Sequence, residues 1–185
     1  MIKVGLCGKI ASGKSIAEKY LQEKGFIVID LDIISHSLLE QDELVKTQVI
    51  KEFQTLDRKE IGKIVFNNPE RKKILENIIH PKLKEYIFNI FEKEKNDKFV
   101  FISGALLFQS GFNKFFDKII FINANEKIRL ERLIKRNNFT YEEAQKRIDS
   151  QNDNLEEKSD FIINNNNSIE DFKKKIDEIL SNLSN

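Results

Sequence analysis

Gly8-Lys9-Ile10-Ala11-Ser12-Gly13-Lys14-Ser15 fills every position of the pattern G-x-x-x-x-G-K-S/T. The spacing has a physical reason. Glycines let the backbone curl until successive N–H groups point inward at phosphate oxygens, and a helix opening near Gly13 adds the positive end of its dipole. Lys14 is placed to bridge β- and γ-phosphates, and Ser15, one residue into the helix, to offer a hydroxyl to Mg²⁺. The pattern therefore predicts a nucleotide cradle of Gly8, Lys9, Ile10, Ala11, Ser12, Gly13, Lys14, Ser15 and Ile16. Its flanks agree. Residues 2–6 are short and apolar, as a buried strand requires, while 15–24 carry Ile16, Ala17, Tyr20 and Leu21 on one helical face, with Gly25 placed to stop the helix.

A second apolar run at 26–29 reads as another strand and breaks into Asp30-Leu31-Asp32. Polar residues at the carboxyl end of a strand lie where α/β sheets bind ligands. Asp32 is thus a candidate general base, if strands one and two end at the same sheet edge, and Asp30 or Asp32 is a candidate N-cap for the helix that follows.

From 33 to 97 strand signals vanish. The stretch parses as helices at 33–39, 42–53, 58–66, 70–79 and 81–95, with Asn68-Pro69 as N-cap and N1 and with His80-Pro81 at a break between two helices. Strand character returns at 98–102, 118–122 and 161–163. Between the last two lies a charged hairpin, whose first arm at 125–136 carries Arg129, Arg132 and Arg136 at i, i+3 and i+7. Its second arm opens with the capping box Thr140-Tyr141-Glu142-Glu143. A final helix from Ser168 presents Ile169, Phe172, Ile176, Ile179, Leu180 and Leu183 as its inward stripe. Strands alternating with helices predict an α/β chain around a parallel sheet. One domain over 1–185 is expected, with a core of about 1–32, 98–124 and 152–185, a helical insertion of about 33–97 and a lid of about 125–151.

Composition narrows the function. Of 185 residues 33% are charged, yet 31 Lys+Arg against 30 Asp+Glu leave a net charge of +1, which gives no whole-molecule attraction to nucleic acid or anionic membrane. Apolar runs are too short to span a bilayer. A single cysteine, Cys7, excludes an internal disulfide, and with His36 and His80 as the two histidines a structural zinc site is not expected. The chain reads as cytoplasmic, without nucleic-acid or membrane partners.

A guanine-nucleotide switch needs D-x-x-G and N-K-x-D; the first does not occur, and Asn113-Lys114-Phe115-Phe116-Asp117 is one residue too long for the second. A motor ATPase needs an Asp after the strand at 98–102, where Ser103-Gly104 stands. What remains is a small-molecule kinase, in which inserted helices form the acceptor pocket and the Arg-bearing hairpin closes as a lid, or a nucleotide-dependent binding protein.

Taken together the motifs resemble the dephospho-CoA kinase family. The likeness runs through the loop at 8–15, Val28-Ile29-Asp30-Leu31-Asp32, Asp57-Arg58, Ile78-Ile79-His80-Pro81, Leu106-Leu107-Phe108, Arg132-Leu133 with Arg136, Arg147-Ile148 with Gln151, and Asp160-Phe161-Ile162-Ile163-Asn164. The resemblance implies a P-loop kinase fold, with a five-stranded parallel sheet flanked by helices, a helical acceptor-binding insertion and an Arg-bearing lid. It implies phosphorylation of the ribose 3′-hydroxyl of dephospho-CoA by ATP with Mg²⁺, Asp32 acting as base and Lys14 and Arg136 on the moving phosphoryl group. It further implies Arg132, Arg136 and Asn164 as ATP contacts, Asp32, Arg58 and His80 as acceptor contacts, and Ser15 as the magnesium contact. Another nucleotide or nucleoside kinase is the alternative. Lys9 and Ala11 stand where the family usually has glycine, Gln109 where it tends to have Glu, and Asn137-Asn138 where an acidic residue is more usual.

Overall fold

The computed structural model describes residues 1–66, 68–151 and 155–183. The chain divides into two units, one of Met1–Ile29 with Asp97–Asn185 and the other of Asp30–Asn96.

The first unit is built on a five-stranded sheet in the order β2-β3-β1-β4-β5, with β1 Ile2–Gly8, β2 Ile27–Asp30, β3 Phe99–Ser103, β4 Lys118–Asn123 and β5 Phe161–Asn164. β1 runs parallel to both β3 and β4, and β4 parallel to β5. The central position of β1 follows from its sequence: a strand covered on both faces cannot alternate polar with apolar, and Val4, Gly5, Leu6 and Cys7 are all buried. Every residue of β3 is buried as well.

One face of this sheet shows the period of two expected of strands. Val4 and Leu6, Phe99 and Phe101, and Ile120 and Ile122 pack together beneath Ala17 and Leu21 of α1 (Lys14–Glu23) and Phe172, Ile176 and Ile179 of α8 (Ile169–Leu183). Phe26 meets the rings of Phe99 and Phe101 edge-on, at 5.8 and 5.6 Å between centroids. Fully burying one such side chain stabilises the fold by about 1.5–3 kcal/mol. Ile169, expected on the inward stripe, is instead exposed, because it is the first residue of α8 and the buried stripe begins at Phe172.

The hairpin forms as α6 (Glu126–Asn137) and α7 (Tyr141–Asp149). Asn138 ends α6 in the left-handed region at φ 52°, a conformation that Asn tolerates better than most residues, and the Thr140–Glu143 capping box opens α7. Leu133, Ala144 and Ile148 form the seam of the hairpin, and Ile10 and Ala11 pack against it.

The second unit is helical: α2 Leu31–Gln41, α3 Glu43–Phe53, α4 Arg58–Phe66 and α5 Pro69–Lys93. Asp42 caps α3 by accepting from the N–H groups of Leu44 and Val45, and these donors, the Val45 N–H foremost, hold its carboxyl below the usual range. The sequence predicts two helices separated at His80-Pro81, but α5 is continuous with Pro81 inside it. Proline deletes one donor and crowds the preceding turn. The stripe of Ile79, Leu83, Ile87 and Phe91, buried on both sides of the proline, overrides that penalty.

Among the described residues no helix is long and apolar enough to cross a membrane.

Candidate active site

β1 delivers the chain into the loop at Gly8. A Cβ there would lie 2.5 Å from the Ile122 carbonyl oxygen and 2.9 Å from Ser12 Oγ, so the first glycine is required by close backbone approach. Gly13, the N-cap of α1, has φ 111°, and a Cβ on it would come within 2.3 Å of Asn165 Nδ2. Ala11 takes φ 60° without being glycine, and its methyl group is set against the hairpin seam. A left-handed alanine costs about 1–2 kcal/mol, which apolar packing at this position helps to offset.

The loop is held by hydrogen bonds to its own backbone, to β4 and to side chains from later in the chain. Lys9 N–H donates to the Ile122 carbonyl at 3.2 Å, Ser12 N–H to the Lys9 carbonyl at 3.1 Å, and Ile10 N–H to Gln151 Oε1 at 2.6 Å. The Ser12 carbonyl accepts from Asn165 Nδ2 at 2.8 Å and from Arg132 Nη1 at 3.4 Å, while Arg132 Nη2 donates to the Asn165 carbonyl at 3.1 Å. Arg132 thus clamps the loop to the end of β5 through backbone oxygens. Lys9 pairs with Glu156 at 2.8 Å.

The resulting cavity, of about 480 Å³, is lined by all nine residues from Gly8 to Ile16, by Arg132 and Arg136, and by Ala105 and Gln151. Arg136 is exposed at its rim, and its Nε donates to Asn137 Oδ1 at 2.8 Å. Lys14 Nζ lies 2.6 Å from Glu18 Oε1 and 2.7 Å from Ser103 Oγ. The register explains the second contact: Leu6 pairs with Ser103, so the end of β3 lies beside the strand that feeds the loop. Cys7, just before the loop, is buried with its thiol pushed up to about 12 by desolvation, against the opposing pull of Lys14, and so is inert as a nucleophile.

The helical unit carries a cavity of its own, about 780 Å³, between α2, α4 and α5. Leu39, Leu56, Ile61, Val65, Leu75 and Ile79 make its apolar wall, with Ser35, His36, Asp57, Arg58 and Lys59 among its polar lining. Arg58 Nη2 contacts His36 Nε2. Burial and then the Arg58 charge lower the His36 pKa, which favours the neutral ring as acceptor for the guanidinium. His80 is half-buried on α5 with its pKa lowered by desolvation, and it is not among the residues lining this cavity. α2 begins two residues earlier than expected, which puts Asp32 in its first helical turn instead of at a strand tip. Asp30 caps the helix by accepting from the Asp32 N–H at 2.8 Å.

The structure therefore brings the loop, Arg132 and Arg136 to one cavity and Arg58 to another. Asn164 lines neither; it ends β5, and its neighbour Asn165 is the residue that touches the loop. Glu18, Ser103 and Asn165 escaped the reading from sequence. Lys14 and Glu18 are spaced i, i+4, which is a visible signal, but Ser103 and Asn165 reach the loop only through strand register.

A phosphate loop at the end of the central strand of a parallel sheet, with a basic helical hairpin over the same cavity, defines a P-loop kinase. The family model for dephospho-CoA kinase matches residues 2–171. A dephospho-CoA kinase of Fusobacterium nucleatum is 40% identical over 94% of this chain and 94% of its own length, and one of Listeria innocua is 36% identical over 94% and 92%. The solved dephospho-CoA kinase from Campylobacter jejuni superposes with a TM-score of 0.72 at 34% identity, covering 98% of this chain and 96% of that one. The chain belongs to the dephospho-CoA kinase family.

Proposed function

We propose that this protein transfers the γ-phosphoryl group of ATP to the ribose 3′-hydroxyl of dephospho-CoA, giving CoA and ADP. The observation that carries the reading is the cavity in which the whole phosphate loop meets Arg132 and Arg136, in a chain that matches the family from residue 2 to 171.

Phosphoryl transfer proceeds through a loose transition state, so alignment and charge neutralisation dominate. Loop N–H groups and Lys14 grip the β- and γ-phosphates. Arg136, exposed at the cavity rim, neutralises the equatorial oxygens as the bond to the bridging oxygen breaks and ADP departs. Asp32 accepts the proton of the 3′-hydroxyl as its oxygen bonds to phosphorus. Asp32 lies in the first turn of α2, and the N-cap of that helix is supplied by Asp30. Arg58 and the cavity it lines, together with His80, belong to the acceptor side.

Mg²⁺ fits the residues present. It usually binds through substrate phosphates, water and one or two protein oxygens, and Ser15, in the first turn of α1, lines the phosphate cavity. Among the described residues no cluster of three or more His, Cys, Asp or Glu is arranged for a resident metal. Ser15 would hold the ion, which would supply charge neutralisation to the phosphates. The cytoplasm is the compartment proposed for this reaction.

ADP release from Mg-ATP, measured with dephospho-CoA, adenosine, AMP or pantothenate as acceptor, tests the assignment. Stimulation by dephospho-CoA alone is expected. Turnover with another acceptor instead would retain the kinase and remove the substrate assignment.

A further inference from the structure

The mechanism above uses Lys14 but leaves its partner, Glu18, without a role. Their side chains are only 16% and 11% exposed. Exposed pairs at i, i+4 contribute little because water screens them; this one is sheltered. Ser103, fully buried, completes the group: it accepts from Lys14 and donates its single proton to the same Glu18 oxygen. Hydroxyl polarity is thereby fixed, with a lone pair toward the ammonium and the proton toward the carboxylate. Packing of α1 on the sheet is carried by Ala17 and Leu21, not by Glu18.

We propose that Glu18 is a positioning residue that holds the Lys14 ammonium as an internal stand-in for phosphate, so that a nucleotide's phosphates bind by displacing it. A carboxylate oxygen 2.6 Å from Nζ makes the same kind of charge-assisted contact that a phosphate oxygen makes. Two consequences follow. The loop enters the reaction with its cation already aimed and neutralised, and Glu18 recaptures Lys14 as the product leaves, which keeps ADP from being held too tightly. This rests on the reading of the loop cavity as the ATP site.

The experiment is calorimetric titration of Mg-ADP and of AMP into wild type, Glu18→Gln, Ser103→Ala and Lys14→Met, with the Glu18→Gln, Lys14→Met double variant closing the cycle. Glu18→Gln keeps the shape and deletes the charge. It is expected to tighten ADP binding about three- to tenfold, slow ADP release correspondingly, and change AMP, which lacks the β-phosphate, by less than about twofold. The ATP KM should fall without a rise in kcat. Ser103→Ala should move ADP affinity in the same direction by less, and carries the test alone if Glu18→Gln does not fold. In the Lys14→Met background the Glu18 effect should vanish. Unchanged or weaker ADP binding in Glu18→Gln, or equal tightening for AMP, overturns the proposal. Loss of Lys14 that leaves ADP affinity intact overturns instead the assignment of the ATP site.

Discussion

The two cavities differ in what makes them. Around the phosphate loop, nine consecutive residues line the space, and a loop that opens a helix offers backbone N–H donors to phosphate. In the helical unit the lining is gathered from side chains on separate helices, apolar on one part and charged on another. A binding surface made of backbone is written in contiguous sequence and constrains residue size and φ. One made of side chains from several helices constrains only where each helix docks, and so leaves a fainter trace.

That contrast sets what each region tolerates. The largest effect is expected in the helical unit: Asp32→Asn should slow turnover about 10²–10⁴-fold, the usual range for a lost general base, with ATP affinity nearly unchanged in an equilibrium titration. Turnover within a few-fold of wild type would leave Asp32 as no more than an ordinary first-turn residue of α2. Next comes Arg136→Ala, which should lower kcat by about 10–10³-fold while weakening ground-state ATP binding much less; equal loss in both would reduce the arginine to a binding contact. Arg58→Ala should raise the KM for dephospho-CoA by about tenfold, the scale of one charge-assisted contact, and leave the KM for ATP alone. A rise in both would erase the distinction between the cavities. The smallest effect is expected inside the loop, where Ala11→Gly exchanges relief of a left-handed alanine against a lost methyl contact and should change stability by less than about 1 kcal/mol. Thermal unfolding shifted by more than about 4 °C would show that one of those terms dominates.

Legibility in sequence followed the same divide. The loop, the second strand's acidic end and the Thr140 capping box were readable because each is set by neighbours within a few residues. The Asn68-Pro69 helix start was readable for the same reason: the Asn68 side chain accepts from the Arg71 N–H. The break expected at His80-Pro81 was not there, because local proline chemistry lost to a stripe of long-range packing. Of the adjacent asparagines at the end of β5, the family resemblance points to Asn164, yet Asn165 touches the loop. Asn165 lies one residue past β5, and it comes to the loop because the end of β5 is registered beside β4, a pairing between segments about forty residues apart.

By itself the sequence determined the nucleotide cradle, the alternation of strands and helices and the basic hairpin, since backbone conformation, capping and amphipathic period act over one or two turns of chain. Tertiary structure alone decided the contacts that complete the site. Ser103 reaches Lys14 across 89 residues and Asn165 reaches Ser12 across 153. Both meetings are products of strand register, and register is chosen by the burial of a whole sheet face, a sum over many residues that no single segment contains.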